Sequence, residues 1–125
     1  MSENKTIVMD LDKTLTLGGS EGYEDEMPNI EVIKTLNEYK EKGFRIIIYT
    51  ARNMRSYKGN VGLINVHTLP KIIEWLNKHN VSFDEIFVGK PWCGKEGFYV
   101  DDRAIRPSEF VKYSYEEIVK IIEAE

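Results

Sequence analysis

The segment Thr6-Ile7-Val8-Met9-Asp10-Leu11-Asp12-Lys13-Thr14 places two aspartates directly behind a short apolar run. The run is rich in β-branched residues and predicts a buried strand. Because side chains alternate along a strand, Asp10 and Asp12 are expected to leave on the same side of the chain. Two carboxylates this close repel each other unless a cation or a shared proton compensates. The segment therefore predicts a charged site at the end of the first strand.

Length and composition limit the class of protein. The chain has 125 residues, which predicts a single domain spanning 1–125. Its formal net charge is -4, so it lacks the positive field of a nucleic-acid coat or a membrane-surface binder. Cys93 is the one cysteine, which excludes an internal disulfide and is typical of a reducing compartment. Without an apolar signal core or a membrane-spanning run, the expectation is a soluble, cytoplasmic protein.

Three further apolar segments predict strands, at 44–50, 84–88 and 97–102. Short apolar strands with helices between them indicate an α/β fold, a Rossmann-like three-layer sandwich with a mostly parallel sheet. The connection 51–66 is longer than is usual between a strand and a helix, which favours a functional loop.

Three segments have the apolar spacing of helices. The first is expected to begin at Pro28 or Asn29 and to stop at Gly43. The second is expected to begin at the N-cap Thr68 and to end near Asn80. The third is expected to begin at the capping box formed by Ser114 and Glu117. The residues expected to face inward are Ile30, Ile33, Leu36 and Tyr39, then Ile72, Ile73 and Leu76, then Ile118, Ile121 and Ile122. The glycines and acids between Gly18 and Glu26 predict a solvated loop.

Polar residues stand at the ends of all four predicted strands. They are Asp10 and Asp12, then Thr50, then Lys90, then Asp101 and Asp102. In open parallel sheets, ligands bind beyond the carboxyl ends of the strands. The sequence therefore predicts that these side chains form one site.

This set of residues, in this order, resembles the four motifs of the haloacid dehalogenase (HAD) superfamily. Most members of that superfamily are Mg²⁺-dependent phosphohydrolases that form a phospho-aspartate. The resemblance extends from Thr6 to about Pro107 and implies the strand order fourth, first, second, third. Because the gaps 17–27 and 51–67 are short, it also implies a HAD-like domain without a cap.

The resemblance implies a role for each motif residue. Asp10 would be the nucleophile, and Asp12 would protonate the leaving group and later deprotonate the attacking water. The implied catalytic residues are Asp10, Asp12, Thr50 and Lys90; the substrate-binding residues are Thr14, Ala51 and Arg52; and the Mg²⁺ ligands are Asp10, Asp12, Asp101 and Asp102. Which member of the last pair touches the metal directly is open. So is the direction of Lys13, which stands where many relatives have glycine.

The substrate is also open. The ending Asp101-Asp102-Arg103-Ala104 and the chain length resemble short capless phosphatases associated with capsule and surface-polysaccharide synthesis. That implies a small phosphorylated metabolite, such as a sugar or amino-alcohol phosphate. Thr50-Ala51-Arg52 also resembles the phosphatase modules of nucleic-acid end-repair enzymes, so a polynucleotide 3′-phosphatase is the alternative, although the acidic balance argues against a bound strand. A non-hydrolytic, receiver-like phospho-acceptor is disfavoured because its phosphorylated aspartate would stand where Thr50 or Gly89 stands.

The implied strand order predicts a homo-oligomer. No membrane partner is expected, because the sequence has no run long enough to span a bilayer. Residues 89–96 would have to cross two strands without a full helix, which is below the usual crossover length. The sheet face that they cross would be thinly covered by protein. A partner subunit is expected to bury that apolar surface.

Overall fold

A computed structural model describes residues 5–18 and 26–125. In chain order these residues form β1 (Thr6–Met9), α1 (Ile30–Glu41), β2 (Arg45–Tyr49), α2 (Val61–His67), α3 (Leu69–Lys78), β3 (Glu85–Phe87), α4 (Pro107–Lys112) and α5 (Tyr115–Glu123). The chain divides into two compact units, one up to Trp92 and one from Cys93 onward. The first unit holds the strands with α1 to α3, and the second holds α4 and α5.

The sheet of the first unit is parallel throughout, in the order β1-β2-β3. Met9 lies opposite Ile48, and Tyr49 lies opposite Phe87. The prediction of an α/β fold with a parallel sheet is therefore confirmed, as is the adjacency of the first three strands.

The predicted fourth strand is not formed. Residues 97–102 have no regular structure, and the side chains of Phe98 and Val100 are 79% and 88% exposed. A strand is stable only where another strand pairs with its backbone, and apolar alternation alone does not provide that partner. In the described part of the chain, the sheet thus has three strands.

One face of the sheet carries the core. Met9, Ile46 and Ile48 share that face and are buried. Both crossovers step in the same direction across the sheet, so right-handed connections place α1 to α3 on one side of it. On the other face, Val8 is 60% and Phe87 is 51% exposed. The prediction of a buried first strand is therefore met only at Met9, because Thr6 and Ile7 are partly exposed and Val8 is exposed.

Helix α1 begins and ends where the sequence predicts. The side chain of Asn29 caps it by accepting a hydrogen bond from the amide of Val32, at 3.4 Å. Gly43 follows the last turn with a φ of 96°, a conformation that favours glycine. Ile30, however, is exposed. Val32, together with Ile33, occupies the buried face instead.

The connection after β2 contains a helix that the sequence analysis did not predict. The side chain of Asn60 accepts a hydrogen bond from the amide of Leu63 and starts α2. Helix α3 follows at the predicted position. The side chain of its N-cap Thr68 makes no capping hydrogen bond to the helix, and its hydroxyl donates to Oδ1 of Asn53, at 2.7 Å. Ile73 is partly exposed and Trp75 is buried in its place, so the inward face of α3 was predicted with one error.

In the second unit, the capping box of α5 is confirmed. The amide of Glu117 donates to the Ser114 hydroxyl at 3.2 Å, and the amide of Ser114 donates to the Glu117 carboxylate at 2.9 Å. Ile118 is buried, whereas Ile121 is partly exposed. Among the described residues, no helix combines the length and apolar character needed to cross a membrane.

Candidate active site

The chain turns sharply at the end of β1. The carbonyl of Leu11 accepts a hydrogen bond from the amide of Leu15 at 2.9 Å, and both leucine side chains are buried. The hydroxyl of Thr14 donates to Oδ2 of Asp10 at 3.0 Å. The carboxyl groups of Asp10 and Asp12 both remain partly exposed. Burial of the leucines thus directs the two aspartates toward the carboxyl edge of the sheet.

Backbone hydrogen bonds join the ends of β2 and β3 beside these aspartates. The amide of Thr50 donates to the carbonyl of Phe87 at 3.0 Å, and the carbonyl of Thr50 accepts from the amide of Lys90 at 3.1 Å. Gly89 lies between the two partners with a φ of 89°, which an L side chain rarely adopts. This turn brings Lys90 back toward Asp10.

The carboxylate of Asp10 faces the ammonium group of Lys90, with 3.7 Å between Oδ1 and Nζ. Burial raises the pKa of Asp10 above its ordinary value, while the Lys90 charge and the Thr14 hydroxyl oppose that rise. The nearby charge of Asp12 adds to the rise in pKa. A positive group placed in this site would therefore favour the ionised form of Asp10.

Asp12 is held by a buried arginine. Nη2 and Nε of Arg52 donate to Oδ1 of Asp12 at 2.6 and 3.2 Å, and the amide of Arg52 donates to the Thr50 hydroxyl at 3.0 Å. The Arg52 side chain is 4% exposed. Because a guanidinium group is planar, these bonds fix the direction of the Asp12 carboxylate.

Glu26 is the second carboxylate on Arg52, with 3.2 Å between Nη2 and Oε2. Its side chain is buried, and its carbonyl accepts the indole hydrogen of Trp75 at 2.9 Å. Burial raises the pKa of Glu26, against a hydrogen bond from Thr16 and the charge of Arg52. The prediction that Glu26 belongs to a solvated loop is wrong. Local sequence gives no signal for it, because its role depends on an arginine 26 positions away.

The remaining acids of that predicted loop, Glu21, Glu24 and Asp25, lie outside the described residues.

Lys13 has a φ of 59°, in the left-handed region. Its amide donates to the Thr16 hydroxyl at 3.2 Å. A Cβ atom built on Gly18 would lie 3.2 Å from Cγ of Lys13, so the lysine stem lies along Gly18. The backbone conformation gives a physical reason for the glycine that the superfamily resemblance places here.

The first unit brings most of the predicted site residues to the carboxyl edge of the sheet: Asp10, Asp12, Thr14, Thr50, Ala51, Arg52 and Lys90. Asp101 and Asp102 belong to the second unit, where both are exposed and Asp101 accepts a hydrogen bond from the amide of Arg103 at 2.9 Å. Among residues 5–18 and 26–125, no group of three His, Cys, Asp or Glu side chains could hold a metal ion. The participation of Asp101 and Asp102 stays a prediction.

A cavity of about 620 Å³ begins at Arg52. It is lined by Arg52, Asn53, Tyr57, Leu63, His67, Thr68 and Lys71. The lining contains two basic side chains, Arg52 and Lys71, and no acidic one. The ring of Tyr57 lies 6.0 Å from that of His67. The volume of the cavity is within the range of small-molecule sites.

The fold and the site define a class: an α/β protein whose parallel sheet presents two aspartates, a threonine and a lysine at its carboxyl edge. The chain is 57% identical to a structural-genomics target from Vibrio cholerae whose crystal structure it matches with a TM-score of 0.94. The match covers 96% of this chain and 98% of that one. The chain belongs to the same family as this Vibrio cholerae protein.

A more distant likeness is to a chain in the structure of the Pnkp1/Rnl/Hen1 complex, with a TM-score of 0.52 and 21% identity. It covers 86% of this chain and 34% of that one, and it shows a shared fold only. No protein-family model and no curated protein matches the chain.

Proposed function

We propose that the chain is a Mg²⁺-dependent phosphomonoesterase of the HAD type, without a cap domain, that acts through a phosphorylated Asp10. The arrangement of Asp10 supports this most strongly. Its carboxylate contacts a hydroxyl donor on Thr14 and faces the ammonium group of Lys90, while the second aspartate is held apart by Arg52. Such a division is what a nucleophile and a separate acid-base group require.

In the proposed first step, an oxygen of Asp10 attacks phosphorus and the bond from phosphorus to the ester oxygen breaks. The departing alkoxide takes a proton from Asp12, so that an alcohol leaves and Asp10 carries the phosphoryl group. In the second step, Asp12 takes a proton from water, and the resulting hydroxide cleaves the acyl phosphate. Inorganic phosphate leaves and the Asp10 carboxylate is restored, in keeping with reversible use of one acid-base group.

The cations and donors of the site have separate tasks in this reaction. Lys90 and the Thr50 segment would hold the phosphoryl oxygens, where charge develops in the transition state. Mg²⁺ prefers oxygen ligands, and the Asp10 carboxylate and the Asp12 backbone carbonyl fit that preference. Bound Mg²⁺ would neutralise phosphoryl charge and keep Asp10 ionised against the effect of its burial.

The Arg52 side chain has two candidate roles. The resemblance predicts that it binds substrate, whereas its bonds to Asp12 and Glu26 in the structure support a positioning role. A buried guanidinium between two carboxylates has little freedom to turn toward a ligand. We therefore assign Arg52 to the orientation of Asp12, with Glu26 as its anchor.

The cavity beside Arg52 supports a small substrate. Its volume of about 620 Å³ suits the leaving group of a phosphorylated metabolite. Lys71 and His67 add hydrogen-bond donors to its lining, which fits a leaving group rich in hydroxyl or anionic oxygens. A sugar or amino-alcohol phosphate has this chemistry.

The test is phosphate release, with and without Mg²⁺, from sugar phosphates, amino-alcohol phosphates, nucleotides and a 3′-phosphorylated oligonucleotide. We expect metal-dependent release, fastest from a small metabolite. Preference for the oligonucleotide would favour the polynucleotide 3′-phosphatase instead. Stable labelling by acetyl phosphate, with release from none of the substrates, would contradict hydrolysis and favour a phospho-acceptor.

A further inference from the structure

Helix α3 begins with a threonine whose hydroxyl contacts the loop after β2. Thr68 ends α2 and begins α3, with φ of -102° and ψ of -46°. A side chain caps a helix from an extended backbone, and at these helical angles the Thr68 hydroxyl makes no hydrogen bond to α3. It donates instead to Oδ1 of Asn53, at 2.7 Å. The junction of the two helices therefore makes this hydroxyl available to a residue outside them.

Asn53 has a backbone conformation that needs support. Its φ of 62° lies in the left-handed region, which is unfavourable for a residue other than glycine, although asparagine tolerates it better than most. Asn53 directly follows Arg52 in the chain. The hydrogen bond from Thr68 thus holds the backbone in this conformation immediately beside the arginine.

A second contact of α3 reaches the same arginine through Glu26. The indole of Trp75 donates to the carbonyl of Glu26 at 2.9 Å. The Glu26 carboxylate in turn accepts from Nη2 of Arg52 at 3.2 Å. Thr68 and Trp75 are about two helical turns apart, so both side chains lie on one face of α3. That face of the helix therefore supports Arg52 through two separate contacts.

These contacts belong to one connected set of buried polar side chains. The members that are at most 5% exposed are Glu26, Thr50, Arg52 and Thr68. The amide of Arg52 donates to the Thr50 hydroxyl, and its guanidinium group donates to Asp12. Because each buried polar group must keep its partners, the members of such a set constrain one another's directions. The direction of the Asp12 carboxylate is therefore coupled to α3.

We propose that Thr68 and Asn53 are positioning residues, through which α3 holds Arg52 in the direction that orients the acid-base group. The hydrogen bond from Thr68 fixes Asn53. The backbone of Asn53 then holds Arg52, which orients Asp12. The inference rests on the proposed function for the role of Asp12, whereas the support of Arg52 by Thr68 is measurable without a substrate.

Thr68→Val is the test variant, because valine keeps the branched shape of threonine and lacks its hydroxyl. Thr68→Ser keeps the hydroxyl and is the rescue variant. Thr35→Val makes the same change on α1, where the hydroxyl donates to the carbonyl of Glu31 at 2.9 Å, and is the matched control. Thermal unfolding shows whether each variant is folded. If Thr68→Val does not fold, Asn53→Gly replaces it, because glycine removes the same hydrogen bond and tolerates the left-handed backbone.

The support of Arg52 is measured by hydrogen exchange of its Nε–H group, using NMR of isotope-labelled protein. The absence of the signal in Arg52→Lys assigns it. We expect slow exchange in the wild type, in Thr68→Ser and in Thr35→Val, and exchange at least about 10-fold faster in Thr68→Val. Equal exchange in Thr68→Val and the wild type would overturn the proposal.

The effect on the acid-base step is measured by comparing an alkyl phosphate with p-nitrophenyl phosphate. An alkoxide needs a proton in order to leave, whereas p-nitrophenolate leaves without one. For Thr68→Val we expect kcat/KM to fall about 10-fold on the alkyl phosphate and by less than about twofold on p-nitrophenyl phosphate. An equal loss on both substrates would mean general damage to the site and would overturn the proposal.

Direct binding of the leaving group is the alternative role, because Thr68 and Asn53 also line the cavity beside Arg52. A rise in KM with kcat unchanged in Thr68→Val would show that role and overturn the proposal. A wild-type chain that releases no phosphate from either substrate would overturn the proposed function. The exchange rate of the Arg52 Nε–H group would then still decide whether Thr68 holds Arg52 in place.

Discussion

The two sides of the candidate site differ in how tightly their carboxylates are held. On the Asp10 side, a hydroxyl hydrogen bond from Thr14 and a lysine at 3.7 Å leave the carboxylate partly open. On the Asp12 side, the carboxylate is fixed by a buried arginine that is itself held by Glu26. Two aspartates that are separated by one residue thus have different surroundings.

This difference fits a division of labour. A nucleophile must approach phosphorus and exchange partners during the reaction, so loose contacts serve it. An acid-base group must keep one direction through two proton transfers, so rigid contacts serve it. The predictions below test whether the two sides of the site are separable in this way.

The largest effect is expected on the Asp10 side. Asp10→Asn removes the proposed nucleophile, so phosphate release should fall by at least about 10⁴-fold and no phosphoenzyme should be trapped. The fold should survive, because an amide oxygen can still accept from the Thr14 hydroxyl. Thermal unfolding checks the fold and phosphate release checks the rate. Release near the wild-type rate would exclude Asp10 as nucleophile.

A smaller loss is expected from Lys90→Ala. Removing one positive group from the phosphoryl oxygens should lower kcat by about 10²–10³-fold. Lys34→Ala, on the exposed side of α1, is the matched control and should leave the rate unchanged. Steady-state kinetics distinguish the two variants. A loss below about threefold for Lys90→Ala would assign this task to another residue, since an electrostatic contact in the transition state contributes more than that.

On the Asp12 side, Arg52→Lys keeps the charge but loses the planar pair of donors. We expect kcat to fall by about 10- to 100-fold with little change in KM, as is typical when a group that orients a reacting side chain is lost. Glu26→Gln, which keeps the shape of the anchor, should have a weaker effect in the same direction. A rise in KM with kcat unchanged would instead mean that Arg52 binds substrate.

The sequence analysis predicted the first unit well because its determinants are local. Apolar runs located β1, β2 and β3 to within two residues at either end, and Asn29 with Gly43 bounded α1. Asp10, Thr50 and Lys90 were predicted together because each ends or follows a strand, and parallel strands end at one edge. Pattern and position are sufficient for such features.

What the sequence analysis missed depends on contacts between distant residues. Nothing around Glu26 marks it as buried, because its partner Arg52 follows β2. The run 97–102 has the composition of a strand, yet strand formation requires a neighbouring strand, which composition does not supply. The errors at Ile30 and Ile73 have a related cause, since helical spacing alone does not fix the edge of a buried face.

A third carboxylate, Asp84, sharpens the comparison because it is held as firmly as Asp12 but lies outside the site. It accepts hydrogen bonds from Lys40 and from the amide of Ile46, each at 2.8 Å. These bonds lower the pKa of Asp84, with the Lys40 hydrogen bond contributing most. The stabilisation that ionised Asp84 gives the fold should therefore be complete above the ordinary aspartate pKa of about 4. It should be lost as the pH falls through the lowered pKa of Asp84.

Asp84→Asn should accordingly destabilise the fold by about 1–2 kcal/mol at neutral pH and leave kcat unchanged. Urea unfolding of both proteins at neutral and acidic pH measures the difference, which should shrink as Asp84 of the wild type becomes protonated. A difference that persists in acid would mean that the geometry of the hydrogen bonds matters and the charge does not. A changed kcat would mean that the hydrogen bonds of Asp84 also influence the candidate site.

The smallest effect is expected at Lys13, next to Asp12. A non-glycine residue at a φ of 59° is strained by roughly 1–2 kcal/mol, and glycine would relieve that strain while adding disorder to the unfolded chain. Lys13→Gly should therefore stabilise the protein by about 0.5 kcal/mol net. Because the lysine stem lies along Gly18, the rate on a neutral leaving group should not change. Lys13→Ala is the control, because it keeps the backbone strain and removes the charge. A loss of rate in both variants would show that Lys13 acts on the substrate. A gain in stability that is confined to Lys13→Gly would show that the backbone conformation alone sets the preference for glycine.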